Sequence, residues 1–173
     1  MKKNKKILFI HPLGVNWRPG EPDMARIANI MPPIGLCSLA AWVEKHGHQA
    51  SIHDCYAFPM QDDMILNRIK KEEPDFVGFT ATTSSFLDAV RIAGKIKNMR
   101  PRISIIFGGV HVTALREPLM RDYPAIDYGV VGEGELPLLA LMEEDHHTLD
   151  GIPGLMFRKG TEVVFTGYGK TTS

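Results

Sequence analysis

Short apolar runs alternate along this chain with stretches in which apolar residues return every three or four positions. Lys6-Ile7-Leu8-Phe9-Ile10 reads as a fully buried first strand. From Pro33 to His46 the residues Ile34, Leu36, Leu39, Ala40 and Val43 keep helical spacing, and Gly47 stops the helix. Ala50-Ser51-Ile52-His53-Asp54 predicts a second strand. Met60 to Glu72 predicts a second helix with Met64, Ile65 and Ile69 inward, broken by Pro74 and Asp75. Phe76-Val77-Gly78-Phe79-Thr80 is the third strand. A helix follows from Ser85, with Phe86, Ala89, Val90, Ala93, Ile96 and Met99 in register before Pro101. Ile103-Ser104-Ile105-Ile106 opens the fourth strand, and a helix is expected over 113–123. The fifth strand, Tyr128-Gly129-Val130-Val131, leads into a helix carrying Leu136, Leu138, Leu139, Leu141 and Met142.

Five repeats of strand then helix predict an α/β fold, a doubly wound, mostly parallel five-stranded sheet covered on both faces, with right-handed crossovers. The flavodoxin-like strand order 2-1-3-4-5 is the expected one. The tail breaks the pattern. Gly154 to Arg158 and Thr161 to Phe165 flank Lys159-Gly160, which predicts a C-terminal β-hairpin. The expected organisation is therefore a Rossmann-like unit over 1–150, with 151–173 as hairpin and tail leading to another domain.

Composition narrows the function more than the fold. The chain has 173 residues, 44% hydrophobic and 23% charged, which suits one globular domain. Lys+Arg and Asp+Glu stand at 20 each, so no basic excess points to nucleic acid. Lys2, Lys3, Lys5 and Lys6 could open a secretory leader, but Ile7 to Ile10 is too short an apolar run and His11-Pro12 ends it. No run has the length of a membrane span, so a cytoplasmic protein with no membrane partner is expected. Cys37 and Cys55 make neither a disulfide framework nor an iron–sulfur ligand set, and read as reduced thiols.

In doubly wound sheets ligands bind beyond the carboxyl ends of the strands. Here that edge holds His11 to Gly14, Asp54 to Tyr56, Thr80 to Ser85, Gly108 to His111 and Gly132 to Glu135. Small residues dominate the third and fourth of these, which predicts a slot with hydroxyls to meet a flat heterocycle. Gly108 and Gly109 have no Cβ, so a ligand can lie against the backbone there. Plainer roles compete. Glu133 and Glu135 suit a helix N-terminus, Asp54 can hold the next turn, and His111 can cap a helix or meet a ligand. The connection from His11 to Met31 is long enough to expect a lid bearing Trp17 and Arg18. Neither Gly-x-Gly-x-x-Gly nor a Walker A sequence follows the first strand, and no Gly-x-Ser-x-Gly elbow is present. His46, His48, His146 and His147 read as solvated.

With these pieces assembled, the chain resembles the N-terminal cobalamin (B12)-binding domain of B12-dependent radical S-adenosylmethionine enzymes. The matching residues are Pro32-Pro33-Ile34-Gly35-Leu36 with Leu39-Ala40-Ala41, Gly47-His48, Asp54 and Asp75 to Thr80. They continue through Phe107 to Thr113, Asp127 to Glu135 and Ile152-Pro153-Gly154-Leu155. The resemblance implies a cobalamin along the strand edge, its nucleotide tail in the slot. Thr80, Thr82 and Thr83 would meet the tail, Gly108 and Gly109 would flank it, and Gly132, Glu133 and Gly134 would border the far side. The corrin face would point towards the Leu13–Arg18 loop and a downstream catalytic domain, with Leu13, Gly14, Asp54 and His111 as further contacts.

Two departures shape the expectation. The mutase and methionine synthase pattern Asp-x-His-x-x-Gly supplies a cobalt-ligating histidine, whereas Asp54-Cys55-Tyr56-Ala57-Phe58-Pro59 puts Tyr56 in that place and Pro59 at the glycine. A base-off cobalamin without a histidine from that position is therefore implied. The family's Cys-x-x-x-Cys-x-x-Cys motif is also absent from these residues. The resemblance then implies no metal ligands and no catalytic residues here. The 4Fe-4S cluster and S-adenosylmethionine would belong to a separate radical SAM domain, of methyltransferase or cyclase type, partnering in cis or in trans. The alternatives are a non-catalytic flavodoxin-like interaction module that has lost its cofactor, and an FMN-binding protein. The latter is disfavoured by Pro12-Leu13-Gly14-Val15, which offers no hydroxyl-rich phosphate loop.

Overall fold

The computed structural model describes residues 4–14, 31–58, 62–143 and 149–168. Five parallel strands form its centre: β1 (Lys6–His11), β2 (Gln49–Asp54), β3 (Phe76–Thr80), β4 (Ser104–Gly108) and β5 (Tyr128–Val130), in the order β2-β1-β3-β4-β5. β6 (Leu155–Lys159) and β7 (Glu162–Phe165) follow as antiparallel neighbours of β5. The sheet thus has seven strands, against the five plus appended hairpin expected from the sequence. The reason is local. Gly154 at φ +76° turns the chain back, its carbonyl accepts the Val131 N–H at 2.8 Å, and the hairpin pairs along an otherwise open edge of β5.

Six helices are described: α1 (Ile34–Lys45), α2 (Asp62–Glu72), α3 (Phe86–Met99), α4 (Val110–Leu115), α5 (Glu117–Asp122) and α6 (Glu135–Glu143). The single helix expected over 113–123 is instead two short ones, broken at Arg116, whose φ of +56° no helix accommodates. The expected start of α2 at Met60 lies outside the described residues.

Successive strand residues point to opposite faces, and both faces are dry. Leu8, Ile10, Val77, Phe79, Ile105 and Phe107 pack against α2 to α5 through Ile65, Ile69, Ala89, Ile92, Val112 and Met120. Ile7, Phe9, Phe76, Ile106 and Val130 pack against α1 and α6 through Leu36, Val43, Leu138 and Leu141. Burial on both faces explains why the strands read as continuous apolar runs rather than alternating ones. Leu155 and Met156 of β6 are fully buried, one in each of these cores, so the hairpin shares the interior of the sheet.

Candidate functional site

On the α1/α6 side, the cover stops short of the carboxyl ends of the strands and leaves a cleft of about 200 Å³. Its floor is Phe9, Gly78, Thr80, Ile106, Gly108 and Val130; its walls are Gly35, Leu36 and Leu39 of α1 and Leu138 of α6, with 132–135 at the rim. Strand parity explains the floor. Gly78 lies opposite Phe9 and Ile106, and Thr80 lies opposite Gly108, all on one face. A Cβ on Gly78 would stand 2.8 Å from the Phe9 ring, so the glycine lets that ring lie flat across the strand.

The two glycines at the end of β4 divide the work. Gly109, at φ +97°, is bound into the protein: a Cβ there would come within 3.0 Å of the Ala81 carbonyl and the Thr80 hydroxyl. The loop after β3 is fastened to it, with Ala81 N–H donating to Gly108 O at 3.0 Å and His111 N–H to Ala81 O at 3.2 Å. Gly108 is the one that leaves space, since its Cβ would meet only Val130, at 3.8 Å.

Of the residues singled out from the sequence at the strand edge, Thr80, Gly108, Gly109, Gly132, Glu133, Gly134 and Glu135 line the cleft. The others do not. Thr82 hydrogen-bonds Ser84 and Ser85 within its own loop, and Thr83 meets His111 Nδ1 at 3.2 Å. His111 makes no cap; it lies against Phe86 at 4.5 Å between centroids, and burial pulls its pKa below the ordinary value. Gly14, at φ +100°, packs on the backbone at Ser84, and Leu13 packs at the edge of the α2/α3-side core. Asp54 Oδ1 accepts the Tyr56 N–H at 3.0 Å and faces His11 Nδ1 at 3.0 Å. Trp17 and Arg18 lie outside the described residues. Glu135 stands in the first turn of α6 and accepts from Ser38 at 3.2 Å, tying α6 to α1 across the cleft. His48 is buried, with Nδ1 accepting the Lys5 N–H, contrary to the solvated reading; His46 is exposed.

Sequence reasoning missed the walls. Leu36, Leu39 and Leu138 read as helix positions, and Gly35, Leu36 and Leu39 also as residues that carry the resemblance, but none as a wall of the site; a further usable signal is Gly78, a glycine inside a strand. Chemically the cleft is apolar, with one hydroxyl in its floor and carboxylates at its rim. No lysine or arginine is among its described lining residues, so it offers no phosphate clamp. It fits the edge of a flat neutral heterocycle slid between sheet and helices.

The comparisons with known proteins agree with this geometry. A family model described as "B12 binding domain" matches residues 20–142. The uncharacterized methyltransferase PH0819 of Pyrococcus horikoshii is 37% identical over 93% of this chain and 34% of its own length. The anaerobic magnesium-protoporphyrin IX monomethyl ester cyclase of Rubrivivax gelatinosus is 33% identical over 79% of this chain and 24% of its own length. The chain thus spans about a third or less of these relatives. In fold it is similar to the radical S-adenosylmethionine methyltransferase TsrM of Kitasatospora setae, solved with cobalamin and a 4Fe-4S cluster bound. There the TM-score is 0.72 at 22% identity, over 99% of this chain and 30% of that one.

Proposed function

The chain belongs to the B12-binding domain family, and from that premise we propose that it is the cofactor-holding part of a B12-dependent radical S-adenosylmethionine enzyme of methyltransferase or cyclase type. The observation that carries the reading is the cleft over Gly78, Thr80 and Gly108, narrow, apolar and closed by α1 and α6. Thr80 would hydrogen-bond the nucleotide tail, Gly108 would let it approach the strand, and Leu36, Leu39 and Leu138 would sandwich its ring. Gly132 to Gly134 would border the tail at the rim. Cobalamin supplies the methyl-carrying or electron-transfer chemistry when bound; the residues of this chain bind and orient it. A tail held in the cleft cannot reach back to cobalt, which makes the expected form base-off. In this organisation 1–150 is the holding unit, and 151–173 carries the hairpin and the tail towards a catalytic domain in cis or in trans, where the cluster and S-adenosylmethionine would sit.

The test is direct. Protein mixed with hydroxocobalamin should stay coloured through gel filtration, with a base-off absorption spectrum. A colourless protein would remove the proposal, and a base-on spectrum would remove its account of the tail.

A further inference from the structure

β2 forms one margin of the sheet, paired with β1. Gln49 N–H donates to Lys5 O and Cys55 N–H to His11 O, so alternate residues of the strand face β1 and Ile52 turns its carbonyl outward. α2 covers that margin with a chain of side chains. Arg68 donates from Nη1 to Ile52 O at 3.1 Å and to His53 Nδ1 at 3.3 Å, and from Nε to Glu72 Oε1 at 2.6 Å. Glu72 Oε2 in turn takes the Ser51 hydroxyl at 2.6 Å. Three successive residues of β2 are thus fastened to α2 through one guanidinium and one carboxylate.

His53 is the buried member of this fastening, 3% exposed. A guanidinium can only donate, so Nδ1 accepts and the ring is neutral. A proton added at Nδ1 would point at Arg68 and set a second cation beside it in a nearly dry site. The charged groups facing the ring are Arg68 and Glu72 from α2 and Asp54 from β2; its partner on β1 is the apolar Ile10. Burial, first, and then Arg68 hold the His53 pKa below the ordinary 6.5. Asp54, Glu72 and the Phe58 backbone favour the cation but do not prevail.

We propose that His53 is an acid-operated catch: a proton taken up at Nδ1 expels Arg68, and the β2 flank opens from α2 while the rest of the sheet stays folded. This goes beyond the function proposed above and does not rest on it. The proton comes from solvent, the hydrogen bond from Arg68 is lost, and the new N–H is the only covalent change. The opened chain takes that proton before the closed one does. The catch is therefore shut above pH 6.5 and gives way as pH falls through the lower folded value. β2 ends in Asp54, which faces His11 on the carboxyl edge, so opening the flank reaches the strand edge that carries the cleft.

Hydrogen exchange of the full chain tests it, read by mass spectrometry at about pH 7.5 and about pH 5 and corrected for the intrinsic exchange rate. At the lower pH, protection in β2 and α2 should fall roughly fivefold or more, while that of β4 and α3 changes little. His53→Asn keeps an acceptor near the place of Nδ1 but cannot take the proton, and should erase the difference between the two conditions. No loss, an equal loss across all strands, or a selective loss that persists in His53→Asn would each overturn the proposal. The wild-type ring decides the matter even if the variant folds poorly. Its nitrogen-15 shifts should show Nδ1 bare at the higher pH and gaining a proton as β2 loses protection. A ring that already carries its proton on Nδ1 there, or that titrates with β2 still protected, overturns the proposal as well.

Discussion

At the scale of single residues, the paired glycines at the end of β4 carry two different constraints. Gly109→Ala places a Cβ at 3.0 Å from the Ala81 carbonyl in a positive-φ conformation. A loss of about 1–3 kcal/mol in stability is expected, read by urea denaturation. At Gly108 an added Cβ meets only ordinary contacts, so Gly108→Val should change stability less than Gly109→Ala while its side chain takes up space in the cleft floor. Cobalamin affinity, followed by absorbance titration, should then fall by at least tenfold. If Gly108→Val binds normally, the cleft is not where the tail goes. The glycine pair was legible in the sequence, but its division was not, because neighbours from β3 and β5 decide which Cβ position is crowded. Thr82 and Thr83 show the same gap. Hydroxyls after a strand read as ligand contacts, yet here Ser84 and Ser85 engage Thr82 and His111 engages Thr83.

At the scale of elements, α2 and α3 are joined through one carboxylate. Asp62, in the first turn of α2, accepts from Lys95 at 2.7 Å and from Arg91, both on α3. Burial raises its pKa, but the hydrogen bonds from Arg91 and Lys95 outweigh that and hold it below the ordinary 3.8. The unfolded chain takes up this proton before the folded one does. The contribution is therefore fully present above pH 3.8 and is lost as pH falls through the lower folded value. Both cations are about half exposed, so it amounts to about 0.5–1 kcal/mol after screening. Asp62→Asn should lose that at pH 7 in thermal denaturation and show a flatter decline below pH 4. An unchanged acid limb would count against the pairing. The helices themselves were readable from their spacing. The break at Arg116 has one local mark, Pro118 in the first turn of α5, while the Arg116 guanidinium lies over Phe165 and Tyr168, side chains about 50 positions further on.

At the scale of the whole molecule, a ligand that binds only the folded chain stabilises it by about 2.7 kcal/mol at 100 times its Kd. For a chain of this size that is a rise of roughly 5–10 °C in Tm. Hydroxocobalamin should produce it, and cobinamide, which lacks the nucleotide tail, should give a clearly smaller shift at the same concentration. Equal shifts would place the binding energy outside the cleft. The alternation of buried strands and amphipathic helices, the five-strand parallel order and the strand edge at which the cleft lies all follow from the sequence. These depend on periodicity and on residues adjacent in the chain. Other features needed the folded chain. The hairpin completes a seven-stranded sheet because β5 presented an open edge. The cleft exists because α1 and α6 stop short of Gly78 and Gly108. His11 meets Asp54 across 43 positions of sequence because β1 and β2 run in parallel register. Contacts of that range are set by strand pairing and helix packing, and no local pattern in the chain encodes them.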